Sequence, residues 1–180
     1  LNDLGNHGLG QSANATVVLA IEVGGINDSP TVVAPTTYYE VNEDETLQIN
    51  GVTIFDVDAS SGLYTARMYS RDGMISGDFN PAKVVVSNQT IAVEDTSVSP
   101  LYGGSIPLRQ VSSIELKGTY TAIKEALSNI SYTANANWNG IDSIVFTVID
   151  PGTDKAEKLS ASTEVLVAVK PVDDPPAFNG

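Results

Sequence analysis

The sequence predicts an all-β sandwich with one short helix, and two observations support this prediction. Short segments rich in β-branched and aromatic residues recur along the chain, and Asn-Gly, Asp-Gly, Ser-Gly and Gly-Gly turn signals separate them. Only residues 120–127 show helical spacing, because Tyr120, Ile123 and Leu127 lie three and four positions apart. Many short strands with little helix are typical of a β-sandwich.

The predicted strands follow one another through the whole chain. They cover residues 16–23, 36–42, 47–55, 63–70, 83–87, 90–94, 112–119, 130–133, 143–149 and 163–169. Residues 95–108 contain two prolines and two adjacent glycines, which predicts a long loop.

Composition limits the size of the core and the class of partner. The 180 residues, 42% of them hydrophobic, suffice for one good core and a fragment of a second. Lys and Arg number 9 against 22 Asp and Glu, so the net charge of −13 repels nucleic acid and attracts cations. The chain has no cysteine for a disulfide or zinc site, and no apolar run approaches the roughly 20 residues of a membrane span. We therefore expect neither a nucleic-acid partner nor membrane insertion of this segment.

Two near copies of a proline-containing segment divide the chain. Residues 27–30 (Asn-Asp-Ser-Pro) and 173–176 (Asp-Asp-Pro-Pro) each follow a run of alternating apolar residues, and proline ends a strand because it cannot donate to the ladder. An earlier aspartate recurs too, since Asp3 and Asp150 each stand two residues before a glycine. The separations are 146 residues (173 − 27) and 147 residues (150 − 3), which indicates an internal repeat with one residue deleted.

This repeat predicts the domain organisation. Residues 1–26 are expected to be the C-terminal strand segment of a preceding repeat, and residues 27–30 the junction. Residues 31–172 then form one complete repeat, and residues 173–180 begin the next linker. Because Leu1 opens in what reads as the middle of a repeat, we expect the chain to be a piece of a longer protein.

Acidic groups near the first junction are candidate metal ligands. Carboxylates, backbone carbonyls and an amide oxygen suit a hard cation, calcium above all. In Asp56-Val57-Asp58, an extended backbone would direct both carboxylates the same way, and their repulsion calls for a counter-ion. Two further candidates each have an ordinary alternative. Residues 42–45 (Asn-Glu-Asp-Glu) could be a charged edge that blunts strand pairing, and Asp150 could simply form a turn.

Catalytic chemistry has little support in the sequence, and we expect no enzyme. Aromatic residues make up only 7% of the chain, with Trp138 the single tryptophan, which disfavours a sugar-hydrolysing cleft. Trp138 is expected to pack over a turn. The only histidine is His7, in a loop near the terminus, so a Ser-His-Asp triad and histidine-ligated metal chemistry both lack their central residue.

Taken together, residues 31–176 resemble a cadherin-like repeat, in the broad sense that includes the tandem repeats of giant adhesins and of chondroitin sulfate proteoglycan-type proteins. The resemblance implies a cadherin-like or immunoglobulin-like Greek-key β-sandwich with a short helix near residues 120–127. It also implies that the linker, an early glutamate, an Asp-x-Asp pair and a late aspartate gather around Ca²⁺. The implied metal ligands in this chain are Asn27, Asp28, Glu43, Asp56, Asp58 and Asp150. The chain departs from the family in lacking a Leu-Asp-Arg-Glu motif and the full Asp-x-Asn-Asp-Asn linker.

The expected function is that of an extracellular, calcium-binding repeat in a larger cell-surface or adhesin protein, in which Ca²⁺ stiffens the junction. Its expected partners are the neighbouring repeats and, through homophilic or heterophilic adhesion, a surface protein or glycan. Sequons occur at Asn14, Asn27, Asn88 and Asn129, and they would place these asparagines on the surface if the source is a secretory eukaryote. For Asn27 the ligand role is favoured over glycosylation, because Pro30 follows closely. Two alternatives stay open: a carbohydrate-binding module using Trp138 or residues 95–108, and a metal-free structural spacer or filament subunit.

Overall fold

The computed structural model describes residues 16–20, 26–59, 61–94, 109–153 and 156–173. These residues form strands that pack into layers, with one helix between the eighth and ninth strands. The elements are β1 (Thr31–Val33), β2 (Tyr38–Asn42), β3 (Thr46–Asn50), β4 (Thr53–Phe55), β5 (Tyr64–Ser70), β6 (Gly73–Gly77), β7 (Val84–Glu94), β8 (Arg109–Gly118), α1 (Tyr120–Leu127), β9 (Asn129–Ala134), β10 (Gly140–Ile149) and β11 (Ser160–Lys170). The predicted all-β class with one short helix is confirmed.

The strands form a six-stranded, a three-stranded and a two-stranded sheet. Their orders are β2-β11-β10-β5-β8-β7, β3-β9-β6 and β1-β4. Neighbouring strands are antiparallel except β2 and β11, which run parallel with Tyr38 opposite Leu166 and Asn42 opposite Lys170. The last strand of the repeat therefore lies inside the large sheet, between β2 and β10.

The core is built from the alternating residues of these strands. In β10, Ile144, Phe146 and Val148 are fully buried while the residues between them are partly exposed, which is the two-residue period of a strand with one covered face. Buried residues from both larger sheets, including Ile49 of β3, join one hydrophobic cluster. A buried hydroxyl also links the sheets, because Ser112 Oγ of β8 accepts a hydrogen bond from Ile75 N of β6 at 3.2 Å.

The helix α1 lies where helical spacing predicts it and has an ordinary beginning and end. Thr119 caps the N-terminus, since its side chain accepts a hydrogen bond from Ala122 N at 3.3 Å. One face is buried and carries Ala122, Ile123, Ala126 and Leu127. The helix ends at Leu127, and Ser128 N then donates to Glu125 O.

Several strand boundaries differ from the prediction, for local reasons. The single strand predicted over residues 47–55 is two strands, β3 and β4, because Gly51 takes a left-handed conformation with φ of 85° between them. The two strands predicted over 83–87 and 90–94 are one, β7, with a shift in pairing between Val86 and Asn88 that is typical of a β-bulge. The short strands β1 and β6 were not predicted. Residues 16–20, predicted as part of a strand, are not in one, and the predicted loop at 95–108 lies outside the described residues.

A buried carboxylate joins the two larger sheets at the end where β10 begins. Asp142 is 2% exposed, and its Oδ2 accepts hydrogen bonds from Ser70 Oγ at 2.7 Å, Asp72 N at 3.1 Å and Tyr132 Oη at 2.8 Å. Its Oδ1 accepts from Ser143 N. Four donors satisfy the buried charge, so this carboxylate stabilises the sandwich only while it keeps them.

Tyr132 makes the free energy of unfolding sensitive to pH in the alkaline range. Burial raises the pKa of the Tyr132 hydroxyl above its ordinary value, and the nearby Asp142 carboxylate raises it further. The unfolded chain would ionise this hydroxyl near pH 10, whereas the folded chain keeps it protonated. Above about pH 10 the unfolded state therefore binds fewer protons, and this residue lowers the free energy of unfolding as pH rises, by up to about 1.4 kcal/mol per pH unit.

We predict that Tyr132→Phe lowers the free energy of unfolding by about 1 kcal/mol at neutral pH and weakens its decline above about pH 10. Urea unfolding measured between about pH 8 and about pH 11 tests both effects. Tyr69→Phe is the matched control, because Tyr69 is exposed on the outer face of the large sheet. Parallel pH profiles for the parent and Tyr132→Phe would contradict the prediction.

Candidate functional site

The linker residue Asn27 is tied to the end of the sandwich by its side chain. Its Nδ2 donates to Asp150 Oδ2 at 2.9 Å and to the carbonyl of Glu157 at 3.2 Å. Asp150 directly follows β10, so these bonds join residue 27 to a position 123 residues away. Two of the predicted site residues, Asn27 and Asp150, are therefore brought into direct contact.

Asp150 is held in place by the turn that it begins. Its Oδ1 accepts hydrogen bonds from Gly152 N at 2.7 Å and from Leu159 N at 3.1 Å, and its backbone N donates to Leu159 O. Gly152 lies in the left-handed region with φ of 67°, where glycine carries no steric cost. Asp150 is only 2% exposed, and both its oxygens accept hydrogen bonds from described residues. The turn-forming role is thus observed, and the carboxylate also binds the linker.

A second chain of hydrogen bonds fixes Asp28. Asp28 N donates to Asp58 Oδ2 at 2.7 Å, and Asp58 N donates to Asp56 Oδ1 at 2.9 Å. Asp56 Oδ2 accepts a hydrogen bond from the hydroxyl of buried Tyr64. The expectation that Asp56 and Asp58 project together from an extended segment is wrong, because the bond from Asp58 N to Asp56 Oδ1 closes a turn there.

The remaining linker residues complete the contact with the domain. Ser29 Oγ donates to the carbonyl of Ser160 at 3.1 Å, at the first residue of β11, and Pro30 is buried. We call the contacts made by residues 27–30 with the domain the linker clamp. Its components are the Asn27 side chain, the Asp28 backbone, the Ser29 hydroxyl and the Pro30 ring.

Glu43 lies at the end of the domain opposite to the linker clamp. The prediction that it shares one metal site with the other five candidate ligands is therefore wrong. Glu43 is 7% exposed, its N donates to Lys170 O at 2.8 Å, and its Oε1 accepts from Val172 N at 2.6 Å. Lys170 ends β11, whereas the linker clamp contacts the first residue of that strand. Ten steps along a strand span about 33 Å. Glu43 therefore binds the chain that leaves this repeat and not the linker at residues 27–30.

The rest of the acidic turn at residues 42–45 is exposed. Asp44 adopts a left-handed conformation with φ of 62°, and Asn42 Nδ2 donates to Glu45 Oε2 at 3.3 Å. Asp44 and Glu45 are exposed, so this turn separates β2 from β3 and places charge at the edge of the large sheet. Both ordinary roles predicted for this segment and for Asp150 are thus visible in the contacts.

The linker clamp offers oxygen atoms of the kind that calcium prefers. The Asp28 and Asp58 side chains are exposed, and the Asp28 carboxylate accepts no hydrogen bond from the described residues. These oxygens fit a hard cation in chemical type. Within the described ranges, however, no group of three or more Asp, Glu, His or Cys side chains is arranged to hold a metal ion. A calcium ion here would rest on the Asp28 and Asp58 carboxylates, with the remaining ligands from water or backbone oxygens.

Other features predicted from the sequence have simpler positions. Trp138 is half-buried against the core, and its ring lies over Gly140, where an added Cβ would come within 3.1 Å of it. The predicted packing of Trp138 over a turn is confirmed. His7 lies outside the described residues. None of the helices in the described part of the chain has the length and apolarity to cross a membrane.

Comparison with known proteins adds no family. No protein-family model matches this chain, and no curated protein matches its sequence with significance.

Sequence reasoning missed two groups of residues that this geometry uses. The carbonyl of Ser160 accepts a hydrogen bond in the linker clamp, and the hydroxyl of Tyr64 holds the Asp56 carboxylate beside it; neither residue belongs to an acidic motif. Asp142 was also missed, although a signal existed. It stands two residues before Ile144 in the alternating pattern of β10, so the pattern itself places an acid in the core.

We predict that Asn27→Ala lowers the free energy of unfolding by about 1–3 kcal/mol in the absence of divalent cations, because Asp150 loses a hydrogen-bond donor. Asp28→Ala is the matched control, since Asp28 contributes its backbone N and not its side chain. It should change stability by less than about 0.5 kcal/mol. Urea unfolding in EDTA measures both. Equal losses in the two variants would mean that the Asn27 side chain has no special part in the clamp.

Proposed function

We propose that this chain is a structural repeat of a larger extracellular protein, with no catalytic activity, and that it holds the linker at residues 27–30 in a fixed orientation. The observation that carries this proposal is the linker clamp. Asn27 and Asp28 each bind an aspartate from a different part of the domain, Asp150 after β10 and Asp58 after β4. A linker attached at two such points cannot swing freely relative to the sandwich.

We further propose that Ca²⁺ binds at the linker clamp and stiffens it. Backbone hydrogen bonds connect the three aspartates, because Asp28 N donates to the Asp58 carboxylate and Asp58 N donates to the Asp56 carboxylate. The chain also carries a net charge of −13. A divalent cation would turn the repulsion between these carboxylates into attraction. The resemblance of residues 31–176 to cadherin-like repeats supports the same metal, the same surface location and a role in adhesion or extension.

Calcium titration by calorimetry tests the metal directly. We predict that Asp58→Asn weakens calcium affinity at least about tenfold, because it removes one charge while the amide oxygen can still accept from Asp28 N. Glu40→Gln is the matched control for charge, because Glu40 pairs with Lys170 at the opposite end of the domain. It should leave the affinity within about a factor of two. Parent-like affinity in Asp58→Asn would remove the basis for a site at the clamp.

Thermal unfolding gives a second and independent measurement. A ligand that binds only the folded state at 100 times its Kd stabilises it by about 2.7 kcal/mol. We therefore predict a higher Tm in excess calcium than in EDTA for the parent. For Asp58→Asn at the same calcium concentration we predict a smaller difference, since a tenfold weaker Kd leaves at most about 1.4 kcal/mol of stabilisation. Identical melting curves of the parent in calcium and in EDTA would count against the metal.

A metal-free spacer is the second candidate, and one observation favours it. Hydrogen bonds from N–H and O–H groups already meet both oxygens of Asp56 and both oxygens of Asp150. In a metal-free spacer, these hydrogen bonds alone would hold the linker, and the acidic surface would provide only solubility. This candidate predicts a stability that responds to Asn27→Ala but not to calcium.

A further inference from the structure

Residues 16–20, which precede the linker in the sequence, form an exposed apolar segment. Val17, Val18 and Leu19 are 86%, 88% and 77% exposed, and the segment pairs with none of the described strands. Contiguous exposed apolar side chains are a feature of surfaces that another domain or molecule covers.

The internal repeat identifies the equivalent of this segment as β11. With the 146-residue offset of the junctions, Leu19, Ile21 and Val23 correspond to Val165, Val167 and Val169. In β11 these three valines are 0%, 0% and 4% exposed and face the core. All three core-facing positions are thus apolar in both copies.

The charged residue Glu22 fixes the register of this correspondence. With an offset of 146 it corresponds to Ala168, on the outer face of β11, whereas an offset of 147 would place it at the buried Val169. Val18 corresponds to Glu164, which is exposed. Shifting a strand by one residue moves every side chain to the opposite face, so of these two offsets only 146 keeps Glu22 out of a core.

The strand β11 has neighbours on both edges and on one face, and a segment with the same pattern needs equivalent neighbours. One edge of β11 pairs antiparallel with β10 from Gly140 to Ile149, and the other pairs parallel with β2. One face is buried in the core. A segment of the same type must therefore enter a sheet that is open between a β2-like strand and a β10-like strand.

We propose that residues 16–23 are the last strand of a preceding repeat of this same fold, inserted between its β2 and β10 equivalents. This inference depends on the tandem-repeat part of the proposed function and not on calcium. A second copy of this chain is not the partner, because its own β11 already fills that position. The sheet that receives the strand belongs to the preceding repeat of a longer chain, and the linker clamp begins at residue 27, four positions after the strand ends at residue 23.

A two-repeat chain tests this proposal. It carries a copy of residues 31–147 in front of the complete chain of 180 residues, so that Leu1 takes the place of Val148 and Asp3 that of Asp150. We expect amide hydrogen exchange across residues 16–23 to slow at least about a hundredfold relative to the original chain, because those amides join a central strand. Exchange that is equally fast in both chains overturns the proposal.

Two single substitutions in the two-repeat chain test the register. Leu19→Glu places a charge at a core position and should abolish both the slow exchange and the unfolding transition of the first repeat. Val18→Glu is the matched control, because β11 itself has a glutamate, Glu164, at the corresponding exposed position. It should preserve both the slow exchange and the unfolding transition of the first repeat. Equal effects of the two substitutions overturn the proposal.

A control chain separates this inference from other causes of failure. In it, residues 148–176 replace residues 1–30, so the first repeat keeps its own β11 sequence. If the control folds as two repeats and the test chain does not, residues 16–23 are not the missing strand. If neither folds as two repeats, the tandem arrangement itself is wrong. Calcium affinity and its loss in Asp58→Asn, measured on the original chain, report separately on the metal at the linker clamp.

Discussion

The position of β11 inside the large sheet is the constraint on which the architecture depends. The strand pairs with β10 over ten of its eleven residues and with β2 over five residues, so its two ends are fixed relative to the core. The incoming linker contacts Ser160 at one end, and Glu43 binds the backbone at Val172 beyond the other. One rigid strand thus sets the separation between the two places where the chain enters and leaves the repeat.

The acidic residues of this chain owe their positions to backbone donors more than to basic side chains. Asp150 accepts from Gly152 N and Leu159 N, and Asp142 accepts from Asp72 N and Ser143 N. A chain with 22 acidic and 9 basic residues cannot pair every carboxylate with a cation of its own. Backbone N–H groups at turns can stabilise single carboxylates without ordering a flexible basic side chain. The Asp28 carboxylate differs from those of Asp142 and Asp150, because it is exposed and accepts no hydrogen bond from the described residues.

The sequence predicted the parts of the fold that local patterns determine. The period of β10 and the helical spacing of Tyr120, Ile123 and Leu127 both agree with the structure, because burial on one face imposes those periods. The strand β6 was missed, since its five residues begin and end with glycine. Its position depends on pairing with β9 and on the close contact of Gly73 with the Tyr132 ring, which no local pattern records.

The candidate site was predicted in composition but not in arrangement. Five of the six predicted ligands lie at one end of the domain, and the motifs named them correctly as neighbours of the linker. Glu43 was grouped with them because the resemblance to cadherin-like repeats implies an early glutamate among the ligands. The parallel pairing of β2 with β11 carries it to the other end, and that pairing joins residues 128 positions apart (166 − 38). The turn at Asp56 was missed because an Asp-x-Asp sequence fits both a strand and a turn.

The parallel pairing of β2 and β11 has a mechanical consequence. In a row of such repeats, tension would enter near residue 30 and leave near residue 172, pulling the two strands along their length in opposite directions. Their hydrogen bonds would then be loaded in shear, all at once, and not peeled apart one after another. A module that carries its first long strand beside its last is therefore built to resist stretching.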